Sequence, residues 1–181
     1  ITDANARVGV PEVYLETATG SRQFERLGPL PLPAGGTWNS DGASFVRISA
    51  GQSGPPRIAV GNNRTEAPLV GVFAESDLLA GEVPDLLIDW FELNHFGGAW
   101  FDDRQLVISG GSFTQGHVDL LDTGSSPSSP RVTRIVDGIE GASAGVGIDS
   151  VGNVYTANGF ANDTPGASET GDIKQFDFSA W

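Results

Sequence analysis

Residues 142–159 read A-S-A-G-V-G-I-D-S-V-G-N-V-Y-T-A-N-G, and residues 171–178 read G-D-I-K-Q-F-D-F. Ala144 to Asp149 is a short apolar run that ends in an acid. Asp149-Ser150-Val151-Gly152-Asn153 is a tight-turn sequence, since Gly and Asn tolerate positive φ and Asp accepts bonds from nearby backbone N–H groups. Val154 to Ala157 is a second short run, β-branched and aromatic. Asn158 to Gly171 is loop by composition. Ile173, Gln175 and Asp177 then alternate with Lys174, Phe176 and Phe178, which is the period of a strand. Three strands joined by one tight turn and one polar loop predict a β-meander.

The pattern recurs upstream. Gly97-Gly98-Ala99-Trp100-Phe101 precedes Asp102-Asp103-Arg104-Gln105, and Leu106-Val107-Ile108-Ser109-Gly110-Gly111 follows. Gly35-Gly36-Thr37-Trp38 precedes Asn39-Ser40-Asp41-Gly42, and Phe45-Val46-Arg47-Ile48-Ser49-Ala50-Gly51 follows. Each copy has a Gly-rich lead-in, a short strand, an Asp-bearing turn and an apolar strand. Repeated small meanders are the sequence sign of a β-propeller or a related stacked array. The predicted fold class is therefore all-β: a propeller, or a section of one, built of four-stranded antiparallel blades.

Composition sets the outer limits. At 181 residues the chain is long enough for one domain with a real core, and residues 1–181 read as a single propeller-like domain. Gly 25 and Pro 11 beside 39% hydrophobic residues indicate a loop-rich globular chain rather than a disordered one. No stretch approaches the ~20 apolar residues of a membrane-spanning helix. A net charge of −13 argues against nucleic-acid binding, because phosphate contacts need a basic patch. The absence of Cys excludes disulfides, thiolate metal sites and Cys catalysis. The chain begins at Ile1 and contains no Met, so either a cleaved precursor or an excised piece of a longer chain is expected. A removed secretory signal is the simplest such event, and it makes a secreted or periplasmic location the expectation.

In chain order, residues 1–11 read as an arm. Val13, Leu15 and Thr17 mark a first strand, and Gln23 to Leu27 a second. Pro29-Leu30-Pro31-Leu32-Pro33 is an extended connector, since alternate prolines do not sit in a central strand. The first full repeat spans Gly35 to Glu75, with further strands at Arg57–Gly61 and Leu69–Phe73. Residues 75–96 break the rhythm. Glu75 to Gly81 reads as a helical turn capped by Ser76, and Pro84 to Phe91 as either a short helix or a packed strand. The second repeat spans Gly97 to Gly138, with its outer strands at His117–Asp122 and Arg131–Val136. The third runs to Trp181 without a fourth strand. The count is about three blades plus N-terminal strands, against the about four to eight blades of a closed ring. Either an N-terminal strand completes the last blade of a small ring, or further propeller blades or a protein partner complete a larger one.

Ala144-Gly145-Val146-Gly147-Ile148-Asp149, Gly152-Asn153-Val154-Tyr155, Ala157-Asn158 and Gly171-Asp172-Ile173 with Phe176 resemble the repeat of NHL and regucalcin/gluconolactonase-like propellers. The resemblance is good over residues 142–178 and loose over 97–122. It implies the fold, and it admits several functions, since that fold hosts binding proteins, lactonases and lyases. Gluconolactonase-like enzymes hold a divalent metal with a Glu, an Asn and an Asp near the central channel. Asn158 is the position the motif carries over.

Chemistry-bearing residues are few. His95 and His117 are the two histidines, and a ring could bring them to a metal with Asp102 or Asp119. The loop from Asn158 to Gly171 holds Asn162, Asp163, Thr164, Glu169 and Thr170, oxygen donors that suit Ca²⁺. Asn158, Asp163, Glu169 and Asp149 are the candidate metal ligands. Against this, Asp102, Asp103 and Asp149 have an ordinary use as turn residues. Asn63-Arg64-Thr65 and Asn162-Asp163-Thr164 match the glycosylation pattern. Trp38 and Trp100 hold equivalent places in the two upstream copies, which suits core packing or an aromatic contact surface. No Gly-x-Ser-x-Gly elbow is present. The expected role is an exported scaffold or binding protein acting through loops on one face of the ring. A metal-dependent lactonase-type hydrolase is the alternative.

Overall fold

The computed structural model describes residues 12–33, 43–51, 54–62, 69–89, 95–111, 115–126, 129–140, 143–158 and 172–177. These form four antiparallel sheets in chain order. The first is a hairpin of β1 (Glu12–Glu16) and β2 (Phe24–Pro29). The second is a meander of β3 (Ala43–Ile48), β4 (Arg57–Asn62), β5 (Leu69–Ala74) and β6 (Leu86–Asp89), with helix α1 (Glu75–Ala80) between its last two strands. The third comprises β7 (His95–Trp100), β8 (Gln105–Gly111), β9 (Gln115–Ser126) and β10 (Ser129–Glu140). The fourth has three strands, β11 (Ser143–Ile148), β12 (Val154–Asn158) and β13 (Asp172–Phe176). No helix among the described residues is long and apolar enough to cross a membrane.

The meanders of the third and fourth sheets follow the expected strands and turns. Among the described residues the second sheet runs β3-β4-β5-β6, so that Leu86–Asp89 adds a strand beyond Leu69–Ala74. Trp38 lies outside the described residues, and its expected equivalence to Trp100 lies there with it. The ambiguous apolar run resolves as a strand because β5 supplies an edge, with Val70 opposite Ile88 and Val72 opposite Leu86. Helix α1 does form, but Ala74 is its N-cap, no side chain caps it, and Gly81 ends it in the left-handed region. Ser76 lies inside the helix and its hydroxyl bonds to Asp77 instead.

The sheets stack face to face in the order of the chain. One core joins Leu30 of the hairpin's exit and Val13 to Ile58, Val60 and Phe73 of the second sheet and Leu78 of α1. A second core joins Ala59, Val70, Val72, Leu86 and Ile88 to Leu106, Ile108 and Leu121 of the third sheet, with Trp100 against it. A third joins Val107, Val118, Ile135 and Ile139 to Val154, with Val146, Ile148 and Phe176 packed on it. Alternate residues of one strand enter different cores, as the two-residue period of a strand requires. That is why Ile58-Ala59-Val60 and Leu106-Val107-Ile108 are continuous apolar runs: both faces are covered.

Successive sheets meet through their first strands, with β7 packed on β3 at one side and on β11 at the other. The approach of β7 to β11 is close. A Cβ on Gly97 would lie 3.0 Å from Gly145 Cα and 3.0 Å from Ser109 Oγ, so only glycine sits there unstrained. Trp100 ties β7 to β3, its indole N–H donating to the Arg47 carbonyl at 3.2 Å. Among the described residues the sheets do not close into a ring or barrel.

Candidate functional site

The connections from first to second strand converge on one rim. The backbone N–H of Gly51, after β3, donates to Asp103 in the β7–β8 turn at 2.8 Å. Phe101 of that turn lies against Gly152 of the β11–β12 turn, where a Cβ would come within 3.3 Å of its ring. The β9 end joins them. Arg104 makes a two-pronged pair with Asp122 at 2.7 and 3.1 Å, and Thr123 returns its N–H to the Arg104 carbonyl at 2.9 Å. Arg57 of the second sheet donates to the Thr123 carbonyl at 2.9 Å. Three sheets are thereby stitched along one edge.

The rim is acidic, and its carboxylates are occupied. Asp102 accepts from the N–H groups of Arg104 and Gln105 at 2.7 and 2.6 Å. Asp149 accepts at Oδ1 from Val151 and Asn153 N–H, and at Oδ2 from the Asn153 amide and the Tyr155 hydroxyl. These donors, the Asn153 side chain foremost, hold the Asp149 carboxyl down at about 2, while Tyr155 is pushed up by the same contact. Gly152, at φ 92, closes the turn around the acid. Arg104 beside Asp122 holds that carboxyl below its usual range. The ordinary turn use of Asp is thus what these residues do.

Two of the four candidate metal ligands, Asp149 and Asn158, lie among the described residues, at opposite ends of β12. Asp149 stands at the rim before β12, whereas Asn158 ends β12 opposite Ser143 and Asp172, at the other edge of the fourth sheet. Four residues of extended strand separate Val154 from Asn158, roughly 13 Å, so one ion does not span both ends. Asp163 and Glu169 lie outside the described residues, as do both glycosylation matches. No group of three or more metal-binding side chains occurs among the described residues.

His117 and Asp119 are both buried on β9, on the face that carries Leu121. The His117 Nε2 is 3.0 Å from Asp119 Oδ2, close enough for electrostatic contact but without hydrogen-bond geometry. Asp119 Oδ1 instead accepts from Arg134 Nε at 2.7 Å. The Arg134 guanidinium is thus the cation that Asp119 Oδ1 meets. The strand register puts His95 in one row with Gly110 and His117, two strands away, while Asp102 is at the far end of β7 and β8. The Arg134–Asp119, Arg104–Asp122 and Arg57–Thr123 links join residues distant in sequence. Only the register of β8, β9 and β10 makes the first two visible, since Asp119 opposes Arg134 and Asp122 opposes Gln105.

No protein-family model, curated protein or solved structure matches this chain. The repeat resemblance therefore rests on the chain's own residues.

Proposed function

We propose that this chain is a section of a β-propeller that serves as a scaffold or binding protein, using loops at one face of the ring. The observation that carries the reading is the succession of antiparallel meanders joined through their first strands, β3 to β7 to β11. Blades around an axis touch in that manner, innermost strand to innermost strand. The rim supports the role. Its acids and arginines hold turns in place. A rigid frame with loops at its edge is the arrangement binding proteins use.

The competing reading is a divalent-metal lactonase of the regucalcin/gluconolactonase kind, with Ca²⁺ as the expected ion. Purified chain is equilibrated with Ca²⁺, dialysed, analysed for bound metal and assayed on an aldonolactone with and without the ion. The scaffold reading expects no stoichiometric ion and no metal-dependent hydrolysis. One ion per chain together with hydrolysis that EDTA abolishes replaces the scaffold by the enzyme.

A further inference from the structure

Asp137 and Gly138 sit in a bulge of β10, the end strand in the order β10-β9-β8-β7 of the third sheet. Val136 opposes Val118 and Ile139 opposes Gly116, so the two residues between them face the single residue His117. Gly138 takes φ 70, and a Cβ built on it meets only Gln115 Nε2, at 3.9 Å. The Asp137 side chain is 62% exposed. Its Oδ1 accepts the N–H of Gly138, the next residue in the chain, at 2.9 Å. Arg134 Nη1 approaches the same oxygen at 3.5 Å, and an exposed contact of that length holds the carboxylate weakly.

The rim acids are arranged differently. Asp102 receives N–H groups from Arg104 and Gln105, Asp122 from Gly124, and Asp149 from Val151 and Asn153. Each of these donors lies two or more residues downstream. The residues that directly follow the three acids, Asp103, Thr123 and Ser150, all carry side chains. Among the described residues Asp137 is the one aspartate followed by glycine.

From this geometry we infer that Asp137 is a site of spontaneous modification, converting to isoaspartate through a cyclic imide. The backbone nitrogen of Gly138 bonds to Asp137 Cγ, and one oxygen of the protonated carboxyl leaves as water, taking the amide proton with it. A five-membered succinimide ring results. Water then adds to one of its two carbonyl carbons. Breaking the bond between Cγ and nitrogen restores aspartate. Breaking the bond between the Asp137 main-chain carbonyl carbon and nitrogen leaves the chain running through Cγ, with a free α-carboxylate. The water lost in the first step is regained in the second, nothing is oxidised or reduced, and no other reactant is needed. The fold supplies the positioning, since groups already held in contact react faster than groups that must find each other. Glycine supplies the access, because no Cβ shields its nitrogen. The bulge accommodates the product. The added methylene enters a link already out of register with β9, between the buried residues Ile135 and Ile139. The inference does not depend on the propeller reading.

The test is ageing of the folded chain at mildly acidic pH in water labelled with heavy oxygen. Proteolysis and mass spectrometry follow, with fragmentation that separates isoaspartate from aspartate. Each passage through the imide leaves a heavy oxygen at the residue. Label and isoaspartate are expected at Asp137 at least about tenfold faster than at Asp102, Asp122 or Asp149, the advantage of a positioned and unhindered nitrogen. The rate at Asp137 is expected to be no lower than in the same chain unfolded in urea. Asp137→Glu keeps the charge at an exposed position and leaves the fold intact by circular dichroism. It demands a six-membered ring, which closes far more slowly, so label at that position is expected to fall to background. Label spread evenly over the four aspartates, label at Asp137 in urea alone, or label that survives Asp137→Glu overturns the inference.

Discussion

The third and fourth sheets begin with the same device and end differently. Both open with a glycine-bearing strand and a turn whose aspartate binds the next backbone N–H groups, Asp102 in one and Asp149 in the other. The third sheet then adds two long strands and is buried on both faces, so that Leu106, Val107, Ile108, Val118 and Leu121 are all but inaccessible. The fourth is covered on one face, with Val154 buried and Ile173 in the open. Equal local instructions thus produce unequal burial, because burial is set by which sheet has neighbours among the described residues. The turn makes the hairpin, and the neighbour makes the core.

The largest test of that contrast is a core deletion. Leu121→Ala, between the second and third sheets, is expected to cost about 2–5 kcal/mol in urea unfolding. Val151→Ala in the fourth sheet's turn, at 76% exposure, is expected to stay within about 0.5 kcal/mol. Comparable losses at both sites would mean that the fourth sheet is as enclosed as the third.

Next comes the polar group in the third sheet's interior. Asp119→Ala removes the acid that Arg134 Nε meets, leaving Arg134 with Asp137 at 3.5 Å, and leaves His117 beside an empty place. The expected loss lies at the lower end of about 3–5 kcal/mol, since the Arg134 side chain keeps 32% exposure and water screens it. Glycine substitutions probe the seam between the two sheets. Gly97→Ala forces a methyl to within 3.0 Å of Gly145 and is expected to cost about 1–3 kcal/mol. Gly147→Ala meets nothing and is expected to raise thermal stability slightly, by about 0.4–1 kcal/mol through the unfolded chain. If the two alanines behave alike, β7 and β11 are not in close approach.

The smallest expected effect is acid dependence at the β11–β12 turn. The Asp149 carboxyl in the folded chain is held at about 2, below its ordinary value of 3.8. Its contribution is therefore complete above about pH 4 and fades as pH falls toward 2. The stability difference between the parent chain and Asp149→Asn is expected to shrink across that window, as read from urea midpoints at successive pH values. A constant difference would show that Asp149 acts by shape alone.

Much of this architecture is legible from residues. Continuous runs such as Leu106-Val107-Ile108 signal strands covered twice, and Asp-bearing turns mark where those strands reverse. The apolar run at 86–89 was ambiguous because a short apolar segment suits helix or strand equally until a neighbouring edge is known. The strand at Leu86–Asp89 joins the second sheet only through its pairing with β5, which lies more than ten residues upstream. Register along a strand is equally hidden from a local reading. Asp149 and Asn158 are nine residues apart in sequence, yet they fall at opposite ends of β12.

By itself the chain's order of residues determined strand type, turn chemistry and the all-β class, because backbone conformational preference and two-residue periodicity act over a few neighbours. Tertiary structure alone decided which faces are covered, which arginine meets which acid, and that Val46, Ile48 and Ile173 stand exposed. Those outcomes depend on contacts between segments tens of residues apart, and no local pattern encodes which sheet comes to rest on which.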